Sequence, residues 1–277
     1  TEVLLRHGAR RVYAVDVGHG QREAPGTLVG RLKCPYAHLN FSKGLDDWFA
    51  RARDLHALDE AIERASAALG EPPTPRNVML SIPYPNRSVT DFGLAIEGRP
   101  VNLSTEEGVA RAVRAYVSEA SRRFESAGFL HLRLWGFYWM REEISPSDEA
   151  RVRAAAGVIH EAGFRLSWIP WWRAPGWDRW KECRIDAAIL QPNYAFVTLT
   201  HGGSVRRNRL AAAADLARSR GLGVEIEAGD VARSLADRQA FLDYLADGGP
   251  DRLGYRDGAC AYYLGTDTVE QTSRSPD

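Results

Sequence analysis

Five acidic side chains stand where a carboxylate could do chemistry: Asp16, Glu142, Glu143, Glu225 and Glu227. Cleavage of a glycosidic bond needs one carboxyl group to protonate the leaving oxygen and a second to attack or stabilise the anomeric carbon, so pairs matter more than single residues. Glu225 and Glu227 lie two apart in a run that reads as a strand, VEIE, so both fall on one face while Val224 and Ile226 fall on the other. Of the two, Glu227 is nearer the strand's C-terminal end and is expected to reach a substrate. Glu225, one layer lower, is expected to be a supporting charge held by Arg133 or a tyrosine. A like charge next to it raises a carboxyl pKa, as a general acid at neutral pH requires. Glu142 follows another strand-like run and is the expected acid/base. Glu143 better suits the opening of a helix, where the dipole favours a negative charge whatever the function.

Aromatic residues gather around these carboxylates. Seven of the eight tryptophans fall between Trp135 and Trp180. Aromatic faces stack on the C–H faces of pyranose rings, with polar groups beside them fixing the hydroxyls. Tyr138, Trp171, Trp172, Trp177 and Tyr194 are the expected sugar walls, and Asn193 and His201 are expected to contact hydroxyls, as is Asp16 in the first strand. Trp135, Trp139 and Trp168 alternate with small or apolar residues and are expected to pack.

These residues need elements to hold them. Short β-rich runs alternate with longer amphipathic ones, the sign of a parallel sheet with crossover helices. The expected strands are residues 12–17, 32–39, 78–82, 132–137, 166–169, 187–191, 224–227 and 259–264, eight in all. Helical periodicity runs through 55–69, 106–127, 147–162, 205–218 and 235–246. Gly70, Gly128, Gly163 and Gly221 mark C-terminal ends, and Ser104, Ser147 and Ser234 are expected N-caps. The count implies a single (β/α)8 TIM barrel over residues 1–265, with a polar tail or linker toward a further domain at 266–277. In such a barrel, chemistry sits at the C-terminal ends of the strands.

Composition narrows the partners. Lys plus Arg and Asp plus Glu are both 36, leaving no charge excess for a nucleic acid, and no apolar run approaches the roughly 20 residues that span a bilayer. Neither nucleic acid nor membrane insertion is expected. The seven histidines form no HxH or HExxH pair, so no metal and no cofactor are expected. Cys34, Cys183 and Cys260 are widely spaced and read as small buried hydrophobes. A GxSxG elbow is absent, which disfavours serine-type hydrolysis.

GFYWMRE at 136–142, WIPWW at 168–172, LQPNYAF at 190–196 and GLGVEIE at 221–227 together resemble a bacterial family, domain of unknown function 4855. Its members look like secreted or cell-surface barrel proteins active on polysaccharides, and the resemblance runs from about Tyr36 to Glu227. It implies that Glu142, Glu225 and Glu227 match the family's glutamates. The strand placement is also similar to the clan of retaining barrel glycosidases, with one departure: Arg141 stands where those enzymes have Asn. The resulting expectation is a glycoside hydrolase, endo-acting on a microbial or extracellular polysaccharide, with retention following if the carboxyls lie about 5 to 5.5 Å apart. Two rivals stand beside it. One is a sugar-binding barrel without catalysis; the other is a metal- or phosphate-dependent barrel enzyme, with an anion bound at Gly202 to Ser204 of the THGGS segment or a metal near His19.

Overall fold

The computed structural model describes residues 14–16, 45–51, 54–90, 92, 100–196, 203–264, 272 and 274. Its strands are β1 (Ala14–Asp16), β2 (Arg76–Ile82), β3 (Leu132–Trp139), β4 (Arg165–Trp168), β5 (Ala187–Leu190), β6 (Gly223–Glu227) and β7 (Cys260–Tyr263). Five long helices alternate with them: α1 (Asp54–Leu69), α2 (Glu106–Ala127), α3 (Glu149–Glu161), α4 (Gly203–Arg220) and α5 (Leu235–Asp247). The chain divides into two compact units. The first is Thr1–Arg141, Asp148–Ser167 and Glu182–Arg184, and the second is Glu142–Ser147, Trp168–Lys181 and Ile185–Asp277.

In the first unit β1, β2 and β3 pair in parallel, with Ala14 opposite Val78 and Arg76 opposite Leu132. The register jumps between Val78 and Met79, whose partners are Leu134 and Gly136, so Trp135 is the extra residue of a bulge. Gly136 has a packing reason: a Cβ there would overlap the carbonyl of Arg165 in β4. Helix α2 buries Val109, Ala112, Val113, Tyr116, Val117 and Ala120, a stripe at helical spacing, and the Tyr116 hydroxyl donates to the Ser81 carbonyl at 2.7 Å. Each fully buried aliphatic side chain of this kind contributes about 1.5–3 kcal/mol.

Helix boundaries follow local chemistry with small displacements. Thr105, not Ser104, caps α2, its hydroxyl accepting from the Gly108 amide at 3.0 Å, and Gly128 ends the helix at φ 65°. Ser104 instead has its amide bound by the Asn102 side chain. Asp148, not Ser147, occupies the N-cap position of α3, while Ser234 caps α5 as expected. Thr105→Ala is expected to lower the unfolding free energy by about 1 kcal/mol in urea titration, because an orphan amide loses its acceptor.

The second unit pairs β5, β6 and β7 in parallel, with Leu190 opposite Val224 and Glu227 opposite Tyr263. Here too a motif glycine permits close approach, since a Cβ on Gly223 would overlap the Ala259 carbonyl.

The closed eightfold barrel is not what the described residues form. Six strands of four to eight residues and the three-residue β1 run in the linear order β1 to β7, so β1 and β7 each have one hydrogen-bonded neighbour. A closed barrel gives every strand two. At the β7 end, Tyr262 and Tyr263 are 47% and 44% exposed. The architecture is a parallel α/β fold, not a closed (β/α)8 TIM barrel. The physical reason is that alternation of periods two and 3.6 is a local property, common to open parallel sheets and closed barrels. The expected strand at 32–39 lies outside the described residues.

Candidate active site

The second unit collects most of the residues singled out by sequence, and one hydrogen-bonded chain ties them together. After β3 the polypeptide enters Glu142–Ser147, which is fastened to the segment following β4: the Trp171 amide donates to the Glu142 carbonyl at 3.3 Å, and the Ile144 amide to the Pro175 carbonyl at 2.8 Å. Trp171 bridges in parallel with Gln191 just past β5. The Trp172 amide donates to Asn193 Oδ1 at 3.3 Å, and Asn193 Nδ2 donates to Gln191 Oε1 at 3.3 Å. Asn193 has φ 51°, a left-handed conformation that asparagine tolerates better than most residues. In it the Asn193 amide donates to Glu227 Oε1 at 2.8 Å.

Glu227 is the most constrained carboxylate of the unit. Its Oε2 accepts from the Tyr244 hydroxyl at 2.5 Å and from the Ala195 amide at 3.4 Å, and the residue is 1% exposed. The Tyr194 amide in turn donates to the Tyr244 hydroxyl at 3.2 Å. Burial raises the Glu227 pKa above its ordinary value, opposed by the Tyr244 hydroxyl and the amides of Asn193, Ala195 and Tyr194, which favour the charged form.

Glu225, on the same face of β6, lives differently. It is 7% exposed, and no hydrogen bond reaches its carboxyl among the described residues. Burial first, then the charges of Glu227 and Glu142, push its pKa up to about 8. The charges of Glu227 and Glu142 thus act with burial to favour the protonated form of Glu225. The cation expected to hold Glu225 is not among the groups acting on it, and Arg133 is exposed. A tyrosine does serve the pair, but it is Tyr244 and it serves Glu227.

A family comparison decides the chain's kinship. The model for Domain of unknown function (DUF4855) matches residues 28–277. The chain belongs to this family. No match to it was found among curated proteins. All of the DUF4855 chain's β6 carboxylates, the Glu142 segment and the WIPWW and QPNYAF motifs fall inside the matched region.

The aromatic residues divide. Trp171 is 36% exposed, Trp172 and Trp177 are half-buried, and Trp177 opens the 3-10 turn Trp177–Arg179. Trp172 carries two guanidinium groups, with Arg173 and Arg209 at 5.3 and 4.6 Å from its ring centroid. Tyr194, expected as a sugar wall, is buried, with its hydroxyl donating to Asp243 at 2.5 Å and its ring edge-on to Tyr244. Tyr138 is likewise buried, in the first unit. Trp139 and Trp168 are buried, as packing residues should be, and Trp135 is half-buried. Arg141 lays its guanidinium over Tyr84 at 4.5 Å. His201 lies outside the described residues, as does the side chain of Asp16.

Three contributors escaped sequence reasoning. Tyr244 sits one helical turn after Ala240 on the buried stripe of α5, a polar-tipped aromatic on an apolar face, which was the available signal. Gln191 carried none, since it is an ordinary polar residue until the fold brings it to Asn193, and Arg209 showed only as part of the basic patch Arg206, Arg207 and Arg209, with nothing to point it at Trp172. Phe196 and Tyr263 form an exposed edge-on pair at 5.9 Å.

Proposed function

We propose that this DUF4855 chain is a glycoside hydrolase that cleaves a polysaccharide with Glu142 and the β6 glutamates as its carboxyl groups. One observation carries the reading. Burial first, then Glu227 and the exposed Glu142, push the Glu225 pKa up to about 8, so a solvent-reachable carboxyl acts on a buried neighbour whose protonated form is favoured. Acid/base cleavage of an acetal calls for such a pair, one group with a proton to give and one without.

The hydrogen bonds favour an exchange of parts between the two β6 residues. Both Glu227 oxygens are engaged and the side chain is closed off from solvent, which suits an anchor that fixes the Asn193 loop and supplies negative charge beside it. Glu225, with no hydrogen bond to break, is the group able to deliver a proton, and Glu142 then serves as the base or nucleophile. Asn193, held by three bonds in a strained conformation, is suited to bind a ring hydroxyl as charge develops. Trp171 offers the exposed aromatic face.

The test is turnover of a panel of microbial exopolysaccharides by the full chain, by Glu142→Gln and by Glu225→Gln. Release of reducing ends by the parent, falling about 10³-fold or more in each variant, is the expected result, since loss of a reacting group removes at least 4 kcal/mol of barrier lowering at about 1.4 kcal/mol per tenfold. Equal turnover by all three proteins sinks the assignment. Sugar binding by all three without cleavage of any glycan favours the non-catalytic reading instead.

A further inference from the structure

Several arginines in the second unit carry an acidic partner, Arg218 with Asp215, Arg233 with Asp230 and Arg252 with Asp247, while Arg238 and Arg256 bond backbone carbonyls. Arg173 and Arg209 are set apart by sharing one aromatic ring. Both approach the Trp172 ring, yet neither forms an ion pair with a carboxylate among the described residues. Arg209 is half-buried and spends one donor on the Pro192 carbonyl, Nη1 to O at 3.3 Å, leaving most of its five N–H groups unspent. Arg173 has φ 58°, a left-handed backbone uncommon for a side chain of this size.

Gathering two like charges at one indole is unfavourable by itself. Burial and the Arg173 charge hold the Arg209 guanidinium below its ordinary pKa, while Tyr244 and Glu227 act the other way. Cation–π contact with Trp172 returns only about 0.5–2 kcal/mol per pair. An anion delivered to these guanidiniums would relieve the repulsion and use their forked donors, which match a carboxylate or sulfate in a plane. The place is also the right one, for the Trp172 amide is bonded to Asn193, whose own amide is bonded to Glu227.

We propose that Arg173 and Arg209, held on Trp172, form a subsite for the anionic group of an acidic glycan, a uronate carboxylate or a sugar sulfate. The inference rests on the glycan-cleaving reading and narrows its substrate class. Trp172 is then the plate that holds the cations, not a surface on which a sugar ring stacks.

Titration calorimetry of the full chain tests it with oligogalacturonate, oligomannuronate, and hyaluronan and chondroitin sulfate fragments, each beside its carboxyl-reduced counterpart. At least one acidic fragment is expected to bind about tenfold or more tightly than its reduced form, with the margin shrinking between about 50 and 300 mM salt. If the sulfated fragment binds as tightly after carboxyl reduction and loses that affinity on desulfation, sulfate is the anion recognised. Arg173→Asn removes the charge while keeping a residue that accepts the left-handed backbone, and Arg209→Gln removes the second. Each is expected to cost about tenfold on the acidic fragment and nothing on the reduced one. The subsite is overturned if no acidic fragment outbinds its reduced form and the sulfated fragment does not outbind its desulfated form, or if the preference survives in the folded double variant. Acidic preference without cleavage leaves the subsite standing and removes the hydrolase, whereas cleavage confined to neutral glycans does the reverse.

Discussion

Glu227→Ala is expected to lower the unfolding free energy by about 3–5 kcal/mol, read as a shifted urea midpoint with unchanged slope. The side chain accepts from the Tyr244 hydroxyl and from the Asn193 and Ala195 amides, all in a site 1% exposed. Truncation strands several donors at once, and a buried donor without an acceptor costs about 1–3 kcal/mol. Tyr244→Phe removes one of those donors and leaves the two backbone bonds to Glu227, so about 1–3 kcal/mol is expected from it. Because the two residues touch, the double variant should lose less than the sum of the single losses. A Glu227→Ala protein within about 1 kcal/mol of the parent removes the anchor role.

Glu225→Gln is expected to stabilise the protein increasingly as pH rises from about 4.5 to about 8. The sign follows from proton binding. With a folded value of about 8 and an ordinary value of 4.5, the folded parent binds more protons than the unfolded chain between those limits, so its stability falls with pH throughout that window. A glutamine, neutral in both states, is spared the loss, and the gap opens by up to about 1.4 kcal/mol per pH unit. Part of the fall belongs to the coupled Glu225–Glu227 pair, which is why the difference between parent and variant is the quantity to measure. Parallel stability curves for the two proteins across the window would sink the prediction.

Much of the local structure was legible in the chain. The bounds of α2 were read to the residue, because Val109, Val113, Tyr116 and Val117 recur at helical spacing through 106–127. Alternation in VEIE correctly separates two acidic from two apolar side chains, and both acids are buried. What alternation does not encode is depth of enclosure or hydrogen-bond partners. The partners of Glu227 come from α5 and from the turn after β5, and so depend on how distant segments meet. That is why the strand pattern placed Glu227 without revealing the three donors that bind its carboxylate. Sheet closure was illegible for a related reason: no residue within a strand reports whether the first and last strands meet. The cation pair on Trp172 was equally hidden, with Arg173 and Arg209 separated by a full β-strand and the start of a helix.

The bulge at Trp135 absorbs one surplus residue in β3, and β6 pairs with β7 through four successive residues with no such irregularity. Strand parity therefore protects the carboxylates. A single-codon insertion between Gly223 and Glu227 would turn the following acid to the opposite side of the sheet and bring an aliphatic residue in its place, whereas a two-codon insertion would restore its orientation. In this stretch an odd change in length reverses the charge pattern, and only the turns that flank the strand can take up a single residue without doing so.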